Sequence, residues 1–217
     1  MKITIRKEEI FRYAAAQGLE QDPFWEAQAD KAIAMTEAQL RPRFCYRCFS
    51  ISQETDGVSV KNTALFLQGQ DIKKHVKGAQ SCYLLAATLG HGMETLLRHT
   101  MATDMTLGLL LDACADVAIE SLCDSICEDI TKELPCGVRC TTRYSPGYGD
   151  FPLSVQPDFL KALDATKRIG LHVSPDLILL PRKSVTAVIG VTTGEKETLV
   201  HGCAHCANRQ NCSYKKC

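Results

Sequence analysis

The feature that most constrains this chain is the run from Met105 to Leu134, in which Leu107, Leu111, Cys114, Ala118, Leu122, Ile126 and Ile130 recur every three or four positions. That period lines one side of an α-helix, and a helix of this extent reaches roughly 40 Å. An apolar stripe so long has to be covered, so the rest of the chain must supply a surface to match it.

The other elements follow from local signals. Between Lys7 and Gln39 the composition is rich in Ala, Glu and Gln, and Asp22-Pro23 offers an N-cap followed by proline at the first helical position, so two helices are expected there. From Arg43 to Leu67 β-branched and aromatic residues surround Asp56-Gly57, which predicts a pair of strands about a turn. Tyr83 to Leu89 reads as a buried strand ending at Gly90, where a helix through Leu96 and Leu97 begins. Pro157 opens a short helix that Gly170 closes, and Ser184 to Val191 reads as one more strand. With no repeat and no low-complexity linker, the expected fold class is α+β: a single domain over residues 1–200 with an antiparallel or mixed sheet, several helices including the long one, and a Cys-rich tail over residues 201–217.

The 217 residues carry 25 basic and 25 acidic side chains, so no net field recruits nucleic acid or an anionic membrane surface. The first twelve residues show no apolar run after their charges, and no stretch reaches the length of a membrane span, which predicts a cytoplasmic protein with no membrane partner. Twelve cysteines without a secretory leader point to reduced thiols or metal ligands rather than a disulfide framework.

Two stretches could hold chemistry. On the long helix Asp112, Asp116, Glu120, Asp124 and Glu128 follow every four residues, with only Lys132 near them in sequence to answer. Like charges at that spacing cost a few tenths of a kcal/mol per pair, and each step of four drifts by about 40°. The ladder is therefore either a solvated acidic face or a row from which one or two carboxylates reach a cationic ligand. The second stretch, Arg143 to Pro152, holds two prolines, two glycines, a guanidinium and two phenols on constrained backbone. It reads as a rigid turn or as a ligand cradle, where Arg offers a fork to a carboxylate and Tyr a face to a base or sulfonium.

Arg143-x-Ser145-Pro146-Gly147-Tyr148 resembles the R-x-A-P-G-Y-P loop of the activation domain of cobalamin-dependent methionine synthase, which holds S-adenosylmethionine. Ala115-Asp116-x-x-x-Glu120 is similar to the A-D-x-x-A-E of that family's preceding helix, and Pro181-x-x-Ser184-Val185 to its later P-x-A-S-V-S segment. Gly69-x-Asp71-Ile72-x-x-His75 and Ala87-Thr88-Leu89-Gly90 look like stand-alone relatives. Four positions depart from the pattern: Gly149 replaces the motif's last proline, Ser145 its alanine, and Ile189-Gly190 an aromatic pair. The resemblance implies a stand-alone reactivation protein that binds S-adenosylmethionine and supports reductive methylation of cobalamin on a partner methionine synthase or other corrinoid protein, with flavodoxin or ferredoxin as electron donor. It assigns the ligand's carboxylate to Arg143, its amino group to Glu120, and the loop lining to Ser145, Gly147 and Tyr148. No general base or nucleophile is evident, and a glycine-rich Rossmann fingerprint is lacking.

Cys203, Cys206, Cys212 and Cys217 fall within the last fifteen positions and give a full set of thiolates for a metal centre. Their uneven gaps favour an iron-sulfur cluster over zinc, and an electron carrier beside a cobalt that must be reduced makes chemical sense. The rival reading is a redox or metal-binding adaptor acting through this cluster. His75, His91, His99 and His172 lack ligand spacing, Cys45 and Cys48 point to opposite faces of a strand, and Cys114, Cys123 and Cys127 are expected to serve in packing.

Overall fold

In chain order the elements are α1 (Lys7–Tyr13), α2 (Pro23–Gln39), β1 (Arg43–Gln53), β2 (Gly57–Val60), β3 (Phe66–Gln68), α3 (Gln70–His75), β4 (Ser81–Thr88), α4 (His91–Thr103), α5 (Met105–Lys132), β5 (Val138–Cys140), α6 (Gln156–Leu163), α7 (Ala165–Ile169), β6 (His172–Val173), β7 (Leu179–Leu180) and β8 (Ser184–Thr193). This computed structural model describes residues 2–193. They divide into two units, the first over residues 2–42 and 89–126, the second over residues 43–88 and 127–193. The fold class is α+β, and among the described residues no helix is long and apolar enough to cross a membrane.

The first unit is helical. Asp22 caps α2 as its sequence suggested, its side chain accepting from the backbone of Phe24 and Trp25. Every residue of the expected stripe on α5 is buried, but so are Leu110, Ala113, Ala115, Val117 and Ile119. Burial thus extends well around the helix, and Asp112, Asp116 and Glu120 occupy the half-exposed seam that is left. The acidic spacing of four follows that one wet strip.

The second unit contains a six-stranded sheet in the order β3-β2-β1-β4-β8-β5, with every pairing antiparallel. At Asp56-Gly57 the chain turns with Glu54 N donating to Gly57 O at 3.0 Å. Glycine is required there, because a Cβ would lie 2.2 Å from Leu67 O. β4 is central, in register from Arg43↔Thr88 to Ser50↔Ser81 on one side and from Ser81↔Val191 to Thr88↔Ser184 on the other. Its residues Leu84 to Thr88 are all buried, as a strand covered on both faces requires. In β1 the period of two buries Cys45, Phe49 and Ile51 while Cys48 is exposed, so the two thiols of the CxxC do face apart.

One face of this sheet packs Cys45, Phe49, Leu84 and Val188 with Phe159, Leu160 and Leu163 of α6, Ile169 of α7, and Phe151. Each large side chain removed from water there contributes about 1.5–3 kcal/mol. The single helix expected from Pro157 to Gly170 is two, because Asp164 takes a left-handed φ of +52° between α6 and α7. Gly170, also left-handed at φ +72°, ends the second.

Candidate functional site

The Arg143–Pro152 loop grows out of the edge of the sheet. After β5, Thr141 N donates to Gly190 O at 2.9 Å and Gly190 N donates to Thr141 Oγ1 at 2.8 Å. Gly190 has little room for more, since a Cβ would stand 3.1 Å from Thr141 Cγ2. Tyr144 then exchanges backbone hydrogen bonds with Val188, at 3.0 and 2.9 Å. Beyond it the chain leaves the sheet in a tight loop, with Tyr148 N donating to Ser145 O at 3.3 Å, Phe151 N to Tyr148 O at 3.0 Å, and Gly147 N to Phe151 O at 2.7 Å. Gly147 (φ +97°) and Gly149 (φ +53°) take left-handed conformations that L side chains avoid. Pro146 and Phe151 are buried, whereas Tyr148, 63% exposed, presents its ring to solvent.

The wall behind the loop is the Gly69-x-Asp71-Ile72-x-x-His75 segment. His75 is buried, and its ring stacks on that of Tyr144 with centroids 4.9 Å apart. Its Nε2 donates to Thr142 O at 2.8 Å in the tautomer that satisfies that carbonyl, and Thr141 Oγ1 lies 2.9 Å away. Through these contacts the histidine braces the loop. From the other end of the loop Asp150 reaches the start of α3, accepting from Gln70 N at 2.6 Å and Asp71 N at 2.9 Å. These backbone donors hold the Asp150 carboxyl below the usual aspartate range. A depressed pKa means the charge favours the folded loop above the ordinary aspartate value, and that this support is lost as pH falls through the lowered one. The Tyr144 phenol is pushed up, first by burial and then by the charges of Asp71 and Asp150.

Of the expected ligand residues, Arg143, Ser145, Gly147 and Tyr148 all belong to this loop. Arg143 is half-buried and points Nη1 toward Cys127 Sγ at 3.7 Å, which draws the guanidinium along the last turns of α5. Glu120 belongs to the first unit, where it and Asp116 are charged neighbours of Tyr13. That phenol is raised first by burial, with Arg12 lowering it and the two carboxylates raising it further. Arg12 lies over the Tyr13 ring at 4.2 Å and pairs with Glu9. Two members of the acidic row, Asp116 and Glu120, thus lie within electrostatic reach of Tyr13 on α1.

The buried thiols are poor nucleophiles. Burial pushes Cys82 and Cys114 up to about 12, and Cys140 up to about 11 with help from Cys127 and Cys48. Among the described residues no group of three His, Cys, Asp or Glu could hold a metal ion. The four cysteines Cys203, Cys206, Cys212 and Cys217 lie outside the described residues.

No family model and no curated protein sequence matches the chain. Among solved structures it is similar to the MetH reactivation domain bound to AdoHcy, with a TM-score of 0.59 and 14% identity over 83% of this chain and 70% of that one. At that identity the likeness is one of fold.

Proposed function

We propose that this chain binds S-adenosylmethionine at the Arg143–Pro152 loop and serves the reductive reactivation of a cobalamin carried by a partner methionine synthase or related corrinoid protein. The observation behind the reading is the loop itself: an R-x-S-P-G-Y segment, held rigid at both ends, on a fold like that of a domain solved with AdoHcy. In this reading the Arg143 guanidinium takes the ligand's carboxylate, Tyr148 offers its exposed face to the sulfonium or base, and the backbone about Ser145 and Gly147 approaches closely because no side chain stands at Gly147. The methyl group passes from sulfonium to reduced cobalt on the partner, leaving a neutral thioether; the chain itself supplies binding and orientation. The reduction draws on an electron donor such as a flavodoxin or ferredoxin.

Equilibrium binding of S-adenosylmethionine to the purified chain tests the reading, and an adaptor acting only through its tail cysteines would show none. The amino group of the ligand falls to Glu120 by the resemblance. Glu120→Gln is then expected to weaken binding by about tenfold, as loss of one charge-assisted bond does, while Glu128→Gln, two turns further along α5, leaves it unchanged. Equal effects in the two variants would reduce the acidic row to a summed field.

The tail belongs to the same proposal. An iron-sulfur cluster on Cys203, Cys206, Cys212 and Cys217 would place an electron carrier beside the cobalt chemistry. Anaerobic purification should yield iron and sulfide with visible absorption. A colourless protein holding one zinc would replace the cluster by a structural site, and a metal-free protein would remove it.

A further inference from the structure

The loop that receives a ligand in this reading carries Pro146 and Pro152 but no proline at its tip. The position after Tyr148 is Gly149, whose φ of +53° is closed to proline, since the pyrrolidine ring fixes φ near −65°. A glycine there leaves the backbone more freedom to lose than any other residue would. Order has to come from elsewhere.

It comes from a reciprocal contact across 79 residues of sequence. Asp150 accepts through Oδ2 from Gln70 N at 2.6 Å and through Oδ1 from Asp71 N at 2.9 Å, and Asp71 Oδ2 accepts from Asp150 N at 3.4 Å. The fit has no slack. A Cβ at Gly69, itself at φ +127°, would sit 2.6 Å from Asp150 Oδ1, and one at Gly149 would sit 2.3 Å from Asp71 Oδ2 and 2.8 Å from the Tyr144 hydroxyl. Two glycines are thus needed for two carboxylates to meet two backbone segments. Tyr144 OH donates to Tyr148 O at 3.3 Å and ties the tip of the loop to the same corner.

We infer that Asp150 is the positioning residue of the Arg143–Pro152 loop: with Asp71 as its counterpart, and Gly69 and Gly149 as the residues that admit them, it locks the loop from outside where a proline would lock it from within. The purpose of the lock rests on the proposed S-adenosylmethionine site; the lock itself does not. Because Tyr144 remains bridged to β8 and Phe151 remains in the core, losing Asp150 frees the loop between two anchors and leaves the rest of the fold in place.

Hydrogen exchange followed by mass spectrometry on the full chain, with S-adenosylmethionine titration and a thermal melt on the same samples, reads this directly. Asp150→Ala is expected to speed exchange at Gln70, Asp71 and the Gly147–Phe151 segment, and to weaken the ligand by about tenfold, with little change in melting temperature. Asp150→Asn, which keeps one acceptor and sets an NH2 donor against the other backbone N–H, should recover only part of both effects. Gly69→Ala should reproduce the alanine phenotype with Asp150 intact. Unchanged exchange in Asp150→Ala would overturn the lock whatever the ligand does, and faster exchange with unchanged affinity would overturn its positioning role. Faster exchange in a chain whose wild type binds no S-adenosylmethionine would support the lock and remove the proposed ligand.

Discussion

Replacing Phe159 by alanine is expected to lower the stability of the fold by about 3–5 kcal/mol, the range for a fully buried phenylalanine whose site cannot collapse. Phe159 is wholly buried on α6, and α6 lies on β1 and β4, so the cavity would open within the core cluster that also holds Cys45, Leu84 and Ala86, on a sheet whose pairing fixes its spacing. Two strands held in an eight-pair register do not close over a missing ring. Leu153→Ala, on an exposed side chain beside the Arg143–Pro152 loop, should cost under about 1 kcal/mol and serves as the control. Denaturant melts of both variants check the pair, with the midpoint moving and the slope unchanged. A small effect at Phe159 would mean that α6 is not seated on the sheet as described.

Where a sequence signal is a period or a turn, it reached the fold. The α5 stripe, the Asp22 cap, the Asp56-Gly57 turn and the parity of Cys45 and Cys48 all rest on local geometry, and each is present. The elements that were not legible are too short to have a period: α3 is six residues, β5 is three, and β6 and β7 are two each. The break at Asp164 was hidden because a single left-handed residue leaves an uninterrupted helical composition around it. Within the candidate site, Arg143 to Tyr148 could be picked out because Pro and Gly mark irregular backbone. Asp71 and His75 could not be joined to that loop, because bonds from side chains to distant backbone leave no mark in spacing. Only the motif Gly69-x-Asp71-Ile72-x-x-His75 hinted at them. Its three named polar or glycine positions turn out to be the admitting glycine, the reciprocal carboxylate and the stacked ring.

Arg143→Ala is expected to weaken S-adenosylmethionine by roughly thirtyfold, about 2 kcal/mol, the loss of a charge-assisted bond to a carboxylate that then has no partner. The Arg143 Nη1 lies 3.7 Å from Cys127 Sγ, a weak acceptor that anchors one corner of the planar fork. Arg143→Lys separates orientation from charge, since an ammonium retains the cation but not the planar fork, and so should recover only part of the affinity. Cys127→Ser is expected to have a much smaller effect than Arg143→Ala, because it alters the anchor and keeps the fork. Isothermal titration of the three variants, at two salt concentrations, is the measurement. If Arg143→Lys restored full affinity, the site would be reading charge alone, and if Arg143→Ala bound as tightly as wild type, the ligand would lie elsewhere than this loop.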